Sequence, residues 1–423
     1  MNTINNDIIF EILKFLPIDA LLNMAVNHRF LKFTRNTTWP QTFKSKNLTK
    51  IKKILKYYSF KSYNFSETYG DLCDIDDNHL HLLKNNTKMV RNFINLHNSK
   101  IINGSPKLKY FNQVDLSRCT NLSNECFENL SECEFVNLNY CHNITNENIY
   151  HLRNCHKINL QSCKQITDVG VAQLRNCSVL NLLYCNQITV NGIKELHKCK
   201  ELFLGSPNIS NDCLKFLNCD KLSLFDCPKI TNEGMKYGKK YASLKLMWCD
   251  NITDEGIKYI NSKSLYFYKI NVTDEGLKNL NGCENINLSC CVSITDMGII
   301  ELDCKYLQIY DCPKISFSKI SEYKFKHLNV SKWRYISDEK LQNFRGLETV
   351  NISECNVTDE GILHLKKCKK VIMVNCFNIT RRGILNLECN TIIICECMNL
   401  NVNASNVVCV SKQKCLDIIY KEK

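Results

Sequence analysis

Residues 159–177 read NLQSCKQITDVGVAQLRNC, with cysteines at 163 and 177 and Ile166-Thr167-Asp168 between them. Just ahead of Cys163, Ile158 and Leu160 sit two apart, the spacing of a strand with one buried face. Beyond it, Thr167 is a natural helix N-cap, Asp168 suits the positive end of a helix dipole, and Val171 and Leu174 lie three apart on one helical face. The stretch therefore reads as strand, turn and short helix, and because it recurs, so does most of the chain.

Cysteines stand in phase with Cys163 at 119, 141, 185, 227, 249, 291, 312, 355, 376 and 397, and Pro207, Ile270 and Trp333 fill the gaps in step. These fourteen landmarks are 20 to 22 residues apart. A second set, Cys133, Cys155, Cys177, Cys199, Cys219, Cys283, Cys304, Cys368 and Cys389, lies eight residues before the next landmark, so the two phases hold 20 of the 27 cysteines. Apolar pairs such as Leu222/Leu224, Leu244/Leu246 and Ile286/Leu288 repeat the strand pattern. Runs such as Ile252-Thr253-Asp254-Glu255-Gly256 repeat the helix start. Gly170, Gly192, Gly234, Gly256, Gly276, Gly298, Gly361 and Gly383 share one helical position, where glycine costs up to about 1 kcal/mol relative to alanine. Close approach between neighbouring repeats would account for their recurrence.

The unit Cys-x2-Leu-x-Leu-x2-Cys-x2-Ile-Thr-Asp resembles the cysteine-containing subclass of leucine-rich repeats. The resemblance implies an α/β solenoid with parallel strands on a concave face and helices on a convex one, spanning residues 112–400 in about fourteen repeats. Weaker copies extend upstream, where Ile94-Asn95-Leu96 leads to Ile102, and Ile75-Asp76-Asp77 leads to Leu80 and Leu83. It also implies that both cysteine phases point into the core, where a free thiol acts as a small hydrophobe. Neither Cys395 with Cys397 nor Cys141 with His142 belongs to a four-ligand cluster, so no metal, cofactor or catalytic residue is expected.

Residues 4–43 break the pattern. Ile8, Ile9, Ile12, Leu13 and Leu16 suit a first helix that Pro17 interrupts, and Leu21 and Leu22 begin a second. Some forty residues cannot bury this much apolar surface alone. The positions Glu11-Ile12, Phe15-Leu16, Asp19-Ala20-Leu21-Leu22, Val26, Arg29-Phe30 and Trp39 resemble an F-box, the helical module of substrate receptors in Skp–cullin–F-box ubiquitin ligases. The alternative is a helical cap on the first repeat. The expected order is an F-box-like module over 1–43, a basic linker with degenerate repeats over 44–111, the repeats over 112–400, and a C-terminal cap over 401–423. As the resemblance has it, Ile8, Ile9, Ile12, Leu13, Leu16, Pro17, Leu21 and Leu22 bind a Skp-type adaptor of a cullin–RING ligase, and the repeats hold an unidentified protein substrate.

Residues four and two before each landmark should face outward on the concave side, with the one just before it at the edge. Many are small or polar, such as Asn159 and Gln161 or Asn351 and Ser353. Leu183, Tyr184, Phe203, Phe225, Met247, Trp248, Tyr266, Tyr268 and Tyr310 instead form an apolar stripe expected to bind the substrate. A slip of strand phase near Pro207 or Ile270 would turn some of them inward.

Charge adds little. The net +13 is concentrated in residues 1–110, with 17 Lys/Arg against 8 Asp/Glu, mainly around Lys44–Lys61. A solvated helix face explains that run as well as nucleic acid does, so nucleic acid is not the expected partner. The rival reading is a repeat scaffold that binds protein or nucleic acid with no ligase role. Polar residues interrupt every apolar run, and Met1–Phe15 lacks the basic start of a signal peptide, so a cytoplasmic or nuclear protein with reduced cysteines is expected. The abundance of Asn, Ile and Lys resembles proteins of giant DNA viruses or AT-rich protists, and a viral origin would place it in the host cytoplasm.

Overall fold

A computed structural model describes residues 38–44, 59–64, 75–81, 91–104, 106–238, 241–280, 282–318, 325–333, 336–344, 346–395 and 407–409. Two units divide the chain, one of residues 1–208 with 216–219, the other of 209–215 with 220–423. In the first, strands β1 (Thr38–Lys44), β2 (Ser59–Asn64), β3 (Arg91–Asn95), β4 (Phe111–Asp115), β5 (Phe135–Asn137), β6 (Lys157–Asn159), β7 (Val179–Leu183) and β8 (Glu201–Gly205) each pair in parallel with the next. In the second, the same holds from β9 (Lys221–Phe225), β10 (Ser243–Met247), β11 (Ser264–Tyr268), β12 (Asn285–Ser289) and β13 (Tyr306–Tyr310) onward. It continues through β14 (His327–Asn329), β15 (Thr349–Asn351), β16 (Lys370–Val374), β17 (Thr391–Cys395) and β18 (Val407–Cys409). A short helix follows most strands, as at Asp168–Gln173 and Asp254–Ile257. This is the expected solenoid.

Its ends differ from the expectation in detail. β1 runs through the expected boundary at residue 43, and its register with β2 shifts between Trp39 and Thr42, where Pro40 has no N–H to give the ladder. In the repeat of β3 the core position falls to Ile101, which is buried, while Ile102 is exposed. There the Asp77 carboxylate accepts from the backbone N–H groups of Ile102, Asn103 and Gly104 and holds that loop. At the other end Val407–Cys409 add one more parallel strand rather than only a cap.

The cysteines of both phases from Cys119 to Cys389 point inward, and among the cysteines whose side chains are described only Cys290 is not buried but half-buried. A landmark thiol does more than fill space. Cys141 donates to the Leu116 carbonyl of the preceding repeat at 3.1 Å, Cys163 to Leu138 at 3.2 Å and Cys185 to Leu160 at 3.1 Å. Leucine would fill the space without making that bond, which identifies what cysteine contributes here.

The Thr-Asp-x-Gly run carries the contact between repeats. Asp168 does not merely favour its own helix; its carboxylate accepts from the Thr189 N–H (2.8 Å) and hydroxyl (2.6 Å) of the next repeat. Asp254–Thr273, Asp274–Thr295, Asp338–Thr358 and Asp359–Thr380 do the same. The recurrent glycine makes room for it: a Cβ on Gly192 would lie 2.6 Å from Asp168 Oδ1, and one on Gly361 2.1 Å from Asp338 Oδ1. The expected close approach is therefore real.

Where asparagine replaces the aspartate, the hydrogen bond reverses. Asn146, Asn211 and Asn232 donate from Nδ2 to the hydroxyls of Thr167, Thr231 and Thr253. A threonine that donates to Asp keeps its lone pairs for its own helix, and Thr189, Thr273, Thr295, Thr358 and Thr380 all accept the capping N–H. The three facing Asn make no such side-chain cap. Asn232→Asp should therefore restore the Thr253 cap and stabilise the protein by about 1 kcal/mol, raising its thermal midpoint. A lower midpoint for the variant would refute this assignment of donors.

Candidate functional site

Among the described residues, every strand from β3 to β16 except β8 is followed by a residue in the left-handed region. The Cys119 N–H donates to the Leu116 carbonyl, and Arg118 between them has φ +61°, the pattern of a type II turn. Such a turn favours glycine, yet Tyr140, Ser162, Tyr184, Asp226, Trp248, Lys269, Cys290, Asp311, Lys332, Glu354 and Asn375 hold the same left-handed place. Each of these side chains therefore leaves the strand at its end instead of continuing its alternation. The position just before a landmark thus forms a row of its own beside the two outward rows of the sheet.

In many strands those outward rows serve the fold. Asn137, Asn159, Asn181, Asn329 and Asn351 each accept on Oδ1 from the backbone N–H two residues on. These Asx turns hold the approach to the corner and account for the bland residues at these places. On β16 and β17 the outward positions Ile372, Val374, Ile393 and Cys395 form a buried apolar cluster, which removes them from the accessible face.

None of the nine expected stripe residues lies in the core. In the first unit Leu183 and Phe203 are half-buried on β7 and β8, and Tyr184 is exposed at its corner. In the second unit Phe225, Met247, Tyr268 and Tyr310 occupy one outward row, with Ser289 between the last two, as the register shows. Tyr266 lies in the neighbouring row between Lys245 and Asn287. Strand phase does not slip at Ile270: Leu265 and Phe267 are buried while Tyr266 and Tyr268 between and after them are not.

The aromatic groups of the second unit touch one another. The Trp248 ring meets Phe225 edge-on at 4.7 Å between centroids and Tyr268 at 5.1 Å, geometries worth about 1 kcal/mol each beyond their buried area. Trp248 nevertheless keeps 37% of its surface exposed. Burial raises the Tyr266 phenol above its ordinary value, against the opposing pull of a hydrogen bond with Ser289. Burial likewise raises Tyr268, which lies against Cys290. Both rings thus stay neutral over the ordinary pH range. A floor of neutral, mutually braced rings favours apolar side chains.

Three members of this surface escape a search for apolar residues: Lys245, Lys269 and the half-buried Cys290. Lys245 and Lys269 lie at 5.5–6.0 Å over the rings of Tyr266, Trp248 and Tyr268. Their only signal in the sequence is their place in the repeat, four and one residues before a landmark. The expected adaptor-binding residues Ile8, Ile9, Ile12, Leu13, Leu16, Pro17, Leu21 and Leu22 lie outside the described residues. Among the described residues no three His, Cys, Asp or Glu gather as a metal site would need, and no helix is long and apolar enough to cross a membrane.

A family model described as Leucine Rich repeat matches residues 243–260 and 347–365, each segment running from a strand through the following helix. No curated protein matches the chain. Among solved structures, it is similar to the complex of Rad7 and Elc1 in yeast, at 15% identity and TM-score 0.43 over 70% of this chain and 89% of that one. An LRR protein of Leptospira interrogans is similar at 16% identity and TM-score 0.41, over 82% and 99% of the respective chains. A TLR13–ssRNA13 complex is similar at 14% identity and TM-score 0.45, over 80% and 58%. These likenesses concern the fold alone.

Proposed function

We propose that this leucine-rich-repeat protein is the non-catalytic substrate-recognition subunit of an SCF-type ubiquitin ligase. The observation that carries the reading is the accessible stripe of Phe225, Met247, Trp248, Tyr266, Tyr268 and Tyr310 on the strand face, a surface suited to grip a protein. The F-box resemblance of residues 4–43 supplies the other half. In this reading Ile8, Ile9, Ile12, Leu13, Leu16, Pro17, Leu21 and Leu22 bury their side chains against a Skp-type adaptor. The stripe, with Leu183, Tyr184 and Phe203, then holds a target so that the ligase's charged E2 can reach its lysines.

The adaptor half has a direct test. An Ile12→Asp/Leu16→Asp variant would place two carboxylates in an apolar contact, at several kcal/mol each, and should lose co-purification with the adaptor. Undiminished co-purification would leave a repeat scaffold with no ligase role.

A further inference from the structure

The strand face of the second unit carries two cations that an apolar grip does not need. Lys245 is exposed on β10, with Nζ 6.0 Å from the centre of the Tyr266 ring. Lys269 is exposed at the left-handed corner after β11, with Nζ 5.5 Å from the Trp248 ring and 5.9 Å from that of Tyr268. Among the described residues neither has a carboxylate within ion-pair distance. Three other lysines of this unit are matched across neighbouring repeats: Lys305 with Glu284, Lys332 with Glu354 and Lys369 with Glu348. The acids at equivalent corners, Asp226 and Asp311, stand two strands either side of Lys269, about 10 Å away at ~4.8 Å per strand.

The placement of the two lysines defines a spacing. Lys245 lies opposite Tyr266 in the strand register, and Lys269 stands at the corner just past Tyr268 on the neighbouring strand. Between them lie Met247, Tyr266 and Tyr268. We propose that this surface takes an extended acidic–apolar segment of a protein, with two carboxylates four residues apart that pair with Lys245 and Lys269 and a bulky apolar side chain midway between them on Met247, Tyr266 and Tyr268. The inference deepens the target-binding reading and rests on it. In an extended chain side chains two apart share a face, so an apolar residue and the carboxylates two places either side of it all face this surface. Both ammonium groups are held beside rings that tolerate a cation, so little ordering is left to do on binding.

Single-stranded nucleic acid would use the same residue types differently. Bases need open ring faces, whereas Phe225 and Tyr268 meet Trp248 edge-on at 89° and 86°.

The test is fluorescence polarisation with the full-length protein and three labelled probes. One is a Gly/Ser-framed peptide pool with Glu fixed at two positions four apart and Leu, Ile, Phe, Tyr or Trp midway between them. The second replaces both Glu with Lys, and the third is oligo-dT. The Glu pool should bind at least tenfold more tightly than the Lys pool, and Lys245→Glu/Lys269→Glu should reverse that preference while thermal unfolding stays unchanged. Equal binding of the two pools, binding of neither, a preference unaffected by the charge reversal, or preferential binding of oligo-dT would each overturn the proposal. If cellular target capture still depends on Trp248 while the pools fail, the charge inference falls and the receptor reading stands.

Discussion

Raising the pH from 8 to about 10.5 under reducing conditions should unfold the repeats. Burial pushes the thiols of Cys155, Cys177, Cys185, Cys199, Cys249, Cys283, Cys304, Cys355 and Cys368 up to about 12, from an ordinary value of 9.0. A folded-state pKa raised above the unfolded one stabilises the fold fully below 9.0, and that contribution is lost as pH rises from 9.0 toward 12. Each unit of pH above 9.0 removes about 1.4 kcal/mol per thiol. With these thiols acting together, the loss by pH 10.5 is on the order of 20 kcal/mol, more than the net stability of a typical domain. Circular dichroism melts at stepped pH should show the midpoint falling steeply above pH 9. A Cys163→Ala/Cys185→Ala variant, less stable at pH 7, should fall less steeply. A midpoint that stays flat to pH 10.5 would mean that the thiols do not report on the core.

The second large effect belongs to the strand face. Replacing Trp248, Tyr266 and Tyr268 with alanine should abolish target capture and leave thermal unfolding nearly unchanged. Aromatic residues at the centre of an interface commonly contribute 2–4 kcal/mol each when truncated, so losing three would weaken binding by more than about a thousandfold. The rings brace one another, so the three losses will not be additive. Because these side chains lie outside the core, the stability cost stays near that of the lost ring contacts, about 1–2 kcal/mol. A melting midpoint that collapses would instead make them structural.

The two effects separate what was legible in the sequence from what was not. Cysteine phase and the paired leucines reveal the solenoid because buried positions repeat with the chain's own period. The same phase places Trp248, Tyr266 and Tyr268 outside the core, since Leu244, Leu246, Leu265 and Phe267 leave only one face for them. The partner of each Asp in Thr-Asp-x-Gly was not legible, because it sits a whole repeat away and local reasoning assigned the acid to its own helix. The left-handed corners were hidden for another reason. Many of their residues, among them Arg118, Trp248 and Glu354, are not turn formers, and the conformation is imposed by the strand ladder and the inward landmark on either side. Lys245 and Lys269 passed unnoticed because a lysine in a lysine-rich chain stands out only once its missing ion partner can be seen.

The most direct test of the proposed receptor is quantitative affinity purification from cells in which the proteasome is blocked. Wild type would be compared with Trp248→Ala/Tyr266→Ala/Tyr268→Ala and with Ile12→Asp/Leu16→Asp. The expected result is independent loss: the stripe variant keeps the Skp-type adaptor and loses the target, while the N-terminal variant keeps the target and loses the adaptor. An adaptor missing even from the wild-type purification, or a target retained by the stripe variant, would contradict the account.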